Sequence, residues 1–120
     1  MSKFMVIRGK VSAGCGQAGK SNTFSPALDK MLGYKIYPGT LNITVANLTT
    51  VRKDIAALKS VHKNLWRGEL WFGKEMRYCW LLQWEGTKAK YLEIISPTNL
   101  RRSMRLNDGD KVELRLCISK

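Results

Sequence analysis

Apolar residues alternate with polar ones in several short runs of this chain, the period expected of half-buried β-strands. Phe4–Val11 (F-M-V-I-R-G-K-V) mixes β-branched and apolar residues and reads as a first strand. Leu41-Asn42-Ile43-Thr44-Val45 alternates cleanly after a turn at Tyr37-Pro38-Gly39-Thr40. Leu65–Phe72 and Met76–Trp84 read as two strands joined through Gly73-Lys74-Glu75 as a hairpin. Tyr91–Ile95 adds another, and Asn107-Asp108-Gly109-Asp110 turns the chain into a last strand, Lys111–Ile118. Helical spacing is rarer. Phe24–Leu32 reads as a short helix, with Ser25 as N-cap, Pro26 at the first position, Gly33 as the stop and Ala27, Leu28, Met31 and Leu32 on one face. Pro97 opens a short helix or turn over Thr98–Met104. Thr49–His62 admits two readings, a helix with Val51, Ile55 and Leu58 on one face or a long loop. Six or so short strands joined mostly by turns predict a mainly β fold, a small closed barrel with one or two short helices. The strand-turn-strand middle of the chain argues against βαβ alternation.

Nothing in the bulk composition disturbs that picture. The 120 residues show no composition break, so one domain over 1–120 is expected, with room for a core that needs no disulfide or metal. No apolar stretch approaches the roughly 20 residues of a membrane span, and the start runs into a strand rather than a leader, so a cytoplasmic monomer is expected. Cys15, Cys79 and Cys117 have no CxxC spacing, and His62 is the sole histidine, which argues against zinc. Cys79 and Cys117 lie in apolar strand-like runs and read as buried thiols. Trp66, Trp71, Trp80 and Trp84 read mainly as core residues, at least some on the inner face of the barrel, with flavin stacking as the sharper alternative.

Charge does change the picture. Twenty-one Lys and Arg against nine Asp and Glu give +12, and residues 1–60 contain only Asp29 and Asp54 as acids. Such a field favours phosphates, whether of a nucleotide or of a nucleic-acid backbone. The basic residues are scattered along strands rather than massed in a helix or tail, which fits none of the usual DNA-reading motifs.

The segment Gly14-Cys15-Gly16-Gln17-Ala18-Gly19-Lys20-Ser21 satisfies G-x-x-x-x-G-K-[ST], a literal phosphate-binding loop. Its surroundings do not fit. Lys20-Ser21 should open a long helix, yet Pro26 falls within that helix's first turns and would break it. A P-loop enzyme also needs a parallel α/β sheet. The local chemistry survives without the fold, because a Gly-rich segment carrying one Lys can still wrap phosphates with backbone N–H groups.

Four segments in order carry a family resemblance. They are Gly9-Lys10-Val11-Ser12-Ala13-Gly14-Cys15-Gly16, Leu32-Gly33-Tyr34 with Tyr37-Pro38-Gly39-Thr40-Leu41-Asn42, Leu92–Arg101 (L-E-I-I-S-P-T-N-L-R), and Leu106–Leu114 (L-N-D-G-D-K-V-E-L). Together they resemble the CTP-dependent riboflavin kinases best known from archaea. The two ends of the chain match well, and Ala46 to Lys90 much less. The resemblance implies a six-stranded cradle-loop barrel and Mg²⁺-dependent phosphoryl transfer from CTP to the 5′-hydroxyl of riboflavin, giving FMN and CDP. It implies Thr40 and Asn42 as Mg²⁺ ligands, neutral hard oxygens that suit a metal whose phosphates supply the negative charge. It implies Cys15, Gly16, Gln17, Ala18, Gly19 and Lys20 around the nucleotide phosphates, with Thr98, Asn99, Leu100 and Arg101 on the nucleotide's other side. Thr87 and Glu93 would hold the flavin, and Glu93 is also the candidate general base. Read without the motif, Thr40 caps a turn, Asn42 pairs with backbone and Glu93 is an exposed strand residue. Two departures stand out: the loop reads G-C-G-Q-A-G-K where the family commonly has G-L-G-E-G and an aromatic, and the stretch before Glu93 is short. Two rival readings stay open, a non-catalytic basic barrel that binds nucleic acid and a nucleotide or flavin sensor without turnover.

Overall fold

The computed structural model describes residues 3–12, 33, 36, 37, 40–58, 64–83 and 89–118. Its strands are β1 (Phe4–Ser12), β2 (Leu41–Thr44), β3 (Leu65–Phe72), β4 (Glu75–Leu82), β5 (Leu92–Ile95) and β6 (Lys111–Cys117). Two short helices accompany them, α1 (Leu48–Ala56) and α2 (Leu100–Ser103). The strands close into a barrel in the order β1-β2-β5-β4-β3-β6, and every pairing in it is antiparallel. An antiparallel barrel has no place for a P-loop's parallel βαβ unit. The literal Walker-type segment, the helix expected over Phe24–Leu32, Thr87 and Trp84 lie outside the described residues.

Period-two alternation produces the core. Ile7 and Val11 of β1, Leu41 and Ile43 of β2, Leu92 and Ile94 of β5 and Val112, Leu114 and Leu116 of β6 all point inward and are buried. The ambiguous stretch resolves into α1 because Ile55 reaches the barrel interior with no exposed surface, while Val51 and Leu58 pack beside it. Leu100, Met104 and Leu106 are buried in the same core from the α2 segment. The hairpin between β3 and β4 pairs Phe72 with Glu75, so its loop is the two residues Gly73-Lys74. Gly73 sits at φ 61, the conformation a tight hairpin turn needs at its first loop position and glycine supplies at least cost.

Several expectations shift at their edges. Tyr91 precedes β5, Val45 and Ile118 lie beyond β2 and β6, and the helix after Pro97 starts only at Leu100. Asn99 caps that helix, its side-chain oxygen accepting from Arg102 N–H at 3.1 Å. Cys79 is a core thiol, whereas Cys117 is half-buried, because its parity on β6 matches outward-facing Lys111, Glu113 and Arg115. The described tryptophans divide. Trp66 is in the barrel core, with its indole N–H donating to Leu58 O at 3.2 Å. Trp71 and Trp80 face outward. Trp80 is nonetheless buried, in a second apolar cluster with Ile36, Leu65, Leu82 and Ile95 on the outer side of β3, β4 and β5.

Candidate active site

The outer side of β1, β2 and β5 carries a polar row. The register sets Ser12 opposite Asn42 and Asn42 opposite Glu93, so these three side chains stand on one face across three neighbouring strands. Asn42 is only 6% exposed, an unusual degree of burial for an amide on an outer strand face. Thr40, two residues earlier, donates its hydroxyl to Asn42 Oδ1 at 2.8 Å.

That pair can be tested as a cation site. Octahedral Mg²⁺ holds oxygens at 2.0–2.1 Å, which places neighbouring ligand oxygens about 2.9 Å apart. The Thr40 and Asn42 oxygens are 2.8 Å apart, so both could reach one ion without rearrangement. The Thr40 proton can rotate away and turn a lone pair toward the metal. Both ligands are neutral, so the remaining positions call for anionic oxygens such as those of a polyphosphate. The residues fit Mg²⁺.

A positive side chain approaches from α2. Arg101 donates to Ser12 O at 3.3 Å and pairs with Asp108 at 2.8 Å. Since Ser12 is the ladder partner of Asn42, Arg101 stands at the edge of the polar row. Tyr37 N–H donates to Ser96 O at 2.9 Å, and Asn99 Nδ2 donates to the Tyr37 hydroxyl at 3.1 Å. Thr98 folds back on buried Ser96, its N–H donating to Ser96 Oγ at 3.2 Å. Residues separated by some sixty positions are thereby joined at one end of the row. Leu100 is different: its side chain is buried in the core, so only its backbone can offer anything to a ligand. Of the sequence-predicted residues, Thr40, Asn42 and Glu93 share this face, Arg101 reaches its edge through Ser12, and Thr98 and Asn99 bond to Ser96 and Tyr37. Cys15, Gly16, Gln17, Ala18, Gly19, Lys20 and Thr87 lie outside the described residues.

Glu93 is half-buried between Asn42 on β2 and Leu82 on β4. Burial raises its carboxyl above the usual carboxylate range, and the positive charge of Arg52 pulls the other way without cancelling the shift. Arg52 itself has no motif to advertise it. From α1 its guanidinium donates to Ala89 O and Tyr91 O, both at 2.9 Å, and to Gln83 Oε1 at 3.2 Å. Gln83 returns a bond from Nε2 to Arg52 O at 3.3 Å. One side chain thus ties α1 to both ends of the connection between β4 and β5, directly ahead of Glu93. We expect Arg52→Ala to lower stability by about 2 kcal/mol, since it strips a charged donor from two carbonyls, and thermal unfolding will check this. An unchanged melting temperature would mean those carbonyls find other partners.

The class the structure defines is a closed, all-antiparallel six-stranded barrel with two short helices, carrying a polar row on the outer side of β1, β2 and β5. Residues 11–116 match the family model named CTP-dep_RFKase, whose description is a domain of unknown function, DUF120. The chain belongs to that family. It is also similar to proteins named riboflavin kinase from Methanococcoides burtonii (32% identity, 90% of this chain and 55% of the relative) and Thermococcus kodakarensis (30% identity, 91% and 57%). A third, from Ignicoccus hospitalis, is 28% identical over 95% of this chain and 72% of its own length. The chain therefore spans little more than half of the first two relatives.

Proposed function

We propose that this protein is a CTP-dependent riboflavin kinase that uses Mg²⁺ to transfer the γ-phosphoryl group of CTP to the 5′-hydroxyl of riboflavin. The observation that carries the reading is the Thr40–Asn42 oxygen pair at metal-ligand spacing, set in one row with Glu93 and beside Arg101. Family membership and relatives named riboflavin kinase supply the substrate class.

Phosphoryl transfer asks mainly for positioning and for neutralisation of charge on the transferred group. Mg²⁺, when bound through Thr40 and Asn42, supplies positive charge to the phosphate oxygens and fixes their direction. Arg101 adds a cation at the end of β1, and the segment Thr98–Arg101 meets the nucleotide through exposed polar groups and backbone. Glu93 lies across the ladder from Asn42, on the acceptor side. Its carboxylate takes the proton of the 5′-hydroxyl as that oxygen attacks phosphorus in line, and the bond to the β-phosphate oxygen breaks to release CDP. A carboxyl with raised affinity for protons is the better base for this step. Arg52 acts on the reaction indirectly, as a positioning residue that anchors the chain leading to Glu93.

The direct test incubates purified protein with riboflavin, Mg²⁺ and either CTP or ATP, and resolves FMN by chromatography. FMN formed with CTP is the expected result. Faster turnover with ATP would keep the reaction and remove the donor assignment. Folded protein that binds CTP and riboflavin but makes no FMN would replace the kinase with a sensor.

A pH prediction follows from Glu93. Its folded-state affinity for protons exceeds that of an unfolded glutamate, so folding is penalised by the buried charge. The penalty is fully present above the raised folded value and absent below the unfolded value of about 4.3. Glu93→Gln should therefore unfold at higher temperature than wild type near neutral pH, with the gap closing as pH falls through that window. A gap independent of pH would show that the carboxylate is not strained by its site. The same variant should lose turnover, separating function from stability.

A further inference from the structure

A groove of about 570 Å³ runs over β1, β6 and β3 and past the end of β2, where Thr44, Val45 and Ala46 line it. Thr44 is two residues beyond Asn42, and the groove opens from there away from Glu93. Arg8, Lys10, Lys111 and Arg115 line it, together with Trp71, and Glu113 is the one acid among its described lining residues. Glu113 is already divided, with one oxygen 3.4 Å from Arg8 Nε and the other bonded to Arg115 Nε. The lysines have no acidic partner among the described residues. The β1–β6 register places Lys10 directly opposite Lys111, a like-charge cross-strand pair that opposes folding. Arg115 also lies over the Trp71 ring, 4.4 Å from its centroid, so the far wall is a stacked aromatic and guanidinium. Beyond that wall Tyr78 stands 70% exposed, reached along the row Arg115, Glu69, Tyr78 across β6, β3 and β4.

We infer that this groove is a second site, separate from the Thr40–Asn42 face, and that it binds the backbone of single-stranded nucleic acid. Glu69 also stands at the far wall, accepting from Trp71 Nε1–H at 3.0 Å. Four cations against two carboxylates still leave an excess of positive charge that phosphates would satisfy, and an anion between Lys10 and Lys111 would turn their repulsion into shared attraction. Interleaving of aromatic and basic side chains on one surface is what sequence-tolerant binding of single strands requires. The shape favours a single strand over a duplex, because the surface offers a concavity rather than a helix or ribbon protruding into a major groove. The net charge of +12 adds long-range attraction but does not localise it; the groove does.

The experiment measures anisotropy of fluorescein-labelled oligouridylate and oligothymidylate, across a range of salt, with intact protein. Wild type should bind with log–log salt dependence, each phosphate contact contributing a slope of about −0.7. Replacing both groove lysines (Lys10→Gln with Lys111→Gln) should weaken binding about tenfold at low salt and flatten the slope by about 1.4. Trp71→Leu should weaken it about tenfold with little change in slope. A control carrying Lys53→Gln and Lys90→Gln removes the same charge elsewhere and should change affinity less than about twofold. Relief of the lysine pair should also raise the melting temperature of the groove variant slightly. Equal weakening by groove and control variants would overturn the site in favour of diffuse attraction. So would absence of binding, or displacement of the oligonucleotide by cytidine monophosphate at comparable affinity, which would mark a mononucleotide pocket. Comparison of the two probes tells RNA from DNA as the source of the backbone. FMN formation by the same groove variants, expected to be unchanged, keeps this inference separable from the kinase reading.

Discussion

Thr40→Ala and Asn42→Ala should each reduce FMN formation about a hundredfold or more, while the barrel stays folded. On the proposed metal site, loss of a ligand should exceed the 10–100-fold cost that outer-shell changes already impose. The stability cost is far smaller: the Thr40 hydroxyl makes one neutral hydrogen bond, to Asn42 Oδ1, worth about 1 kcal/mol. Activity and melting temperature should therefore part company. Thr40→Ser restores the hydroxyl and should recover much of the rate. Asn42→Asp keeps an oxygen at the same place and adds charge, so it should lower the Mg²⁺ concentration needed for half-maximal turnover even if the maximum falls. If instead activity declines only in proportion to the fraction unfolded, and Mg²⁺ dependence is unmoved in every variant, the oxygen pair is a turn-closing contact and the metal lies elsewhere.

The second large effect is on the scaffold under that site. Gly9 faces inward on β1, where a Cβ would stand 2.6 Å from Thr44 O and 2.9 Å from a Val45 methyl. The nearer obstacle is backbone and cannot rotate away, so Gly9→Ala must push β2 from β1. Overpacking of this kind costs about 3 kcal/mol, a fall of roughly 10 °C in melting temperature for a domain of this size. Function should suffer as well, because the same β1–β2 ladder sets Ser12 against Asn42. Mg²⁺ affinity in the surviving folded fraction should drop, and a variant with wild-type melting temperature and metal response would show that the ladder yields at no cost. Gly68 is a second close approach, where an added Cβ would stand 2.9 Å from Arg115 O in the β3–β6 ladder.

Much of this architecture is legible before any coordinates. Alternation alone places the six strands within a residue or two, because each strand of a small barrel buries one face and the sequence must record that face. Where both faces are buried the record blurs: Cys79-Trp80-Leu81-Leu82 is a continuous apolar run, serving the core through Cys79 and Leu81 and the outer cluster through Trp80 and Leu82. The Thr40–Asn42 contact was legible for a different reason. Thr40 and Asn42 are two apart at the start of a strand, so their shared face is a local property, and the surrounding motif marks them.

Other features are invisible at that level. Arg52 looks like any helical arginine, and only the packing of α1 against the β4–β5 connection brings it to two backbone carbonyls and near Glu93. Glu93 is marked by the motif, but its burial is not: only the sheet sets it between Asn42 and Leu82 and shifts its carboxyl. The basic charge is plain from composition, yet its focus at Lys10 and Lys111 needs strands 100 residues apart to pair. The division is physical. Periodicity, caps and turns are set by neighbours along the chain, so the sequence by itself determined the strands and the pairing of Thr40 with Asn42, and left the segment after Pro97 as a short helix or turn. Barrel closure is set by contacts between distant segments, so the tertiary structure alone decided which charges meet, which carboxyl is desolvated and where the groove opens.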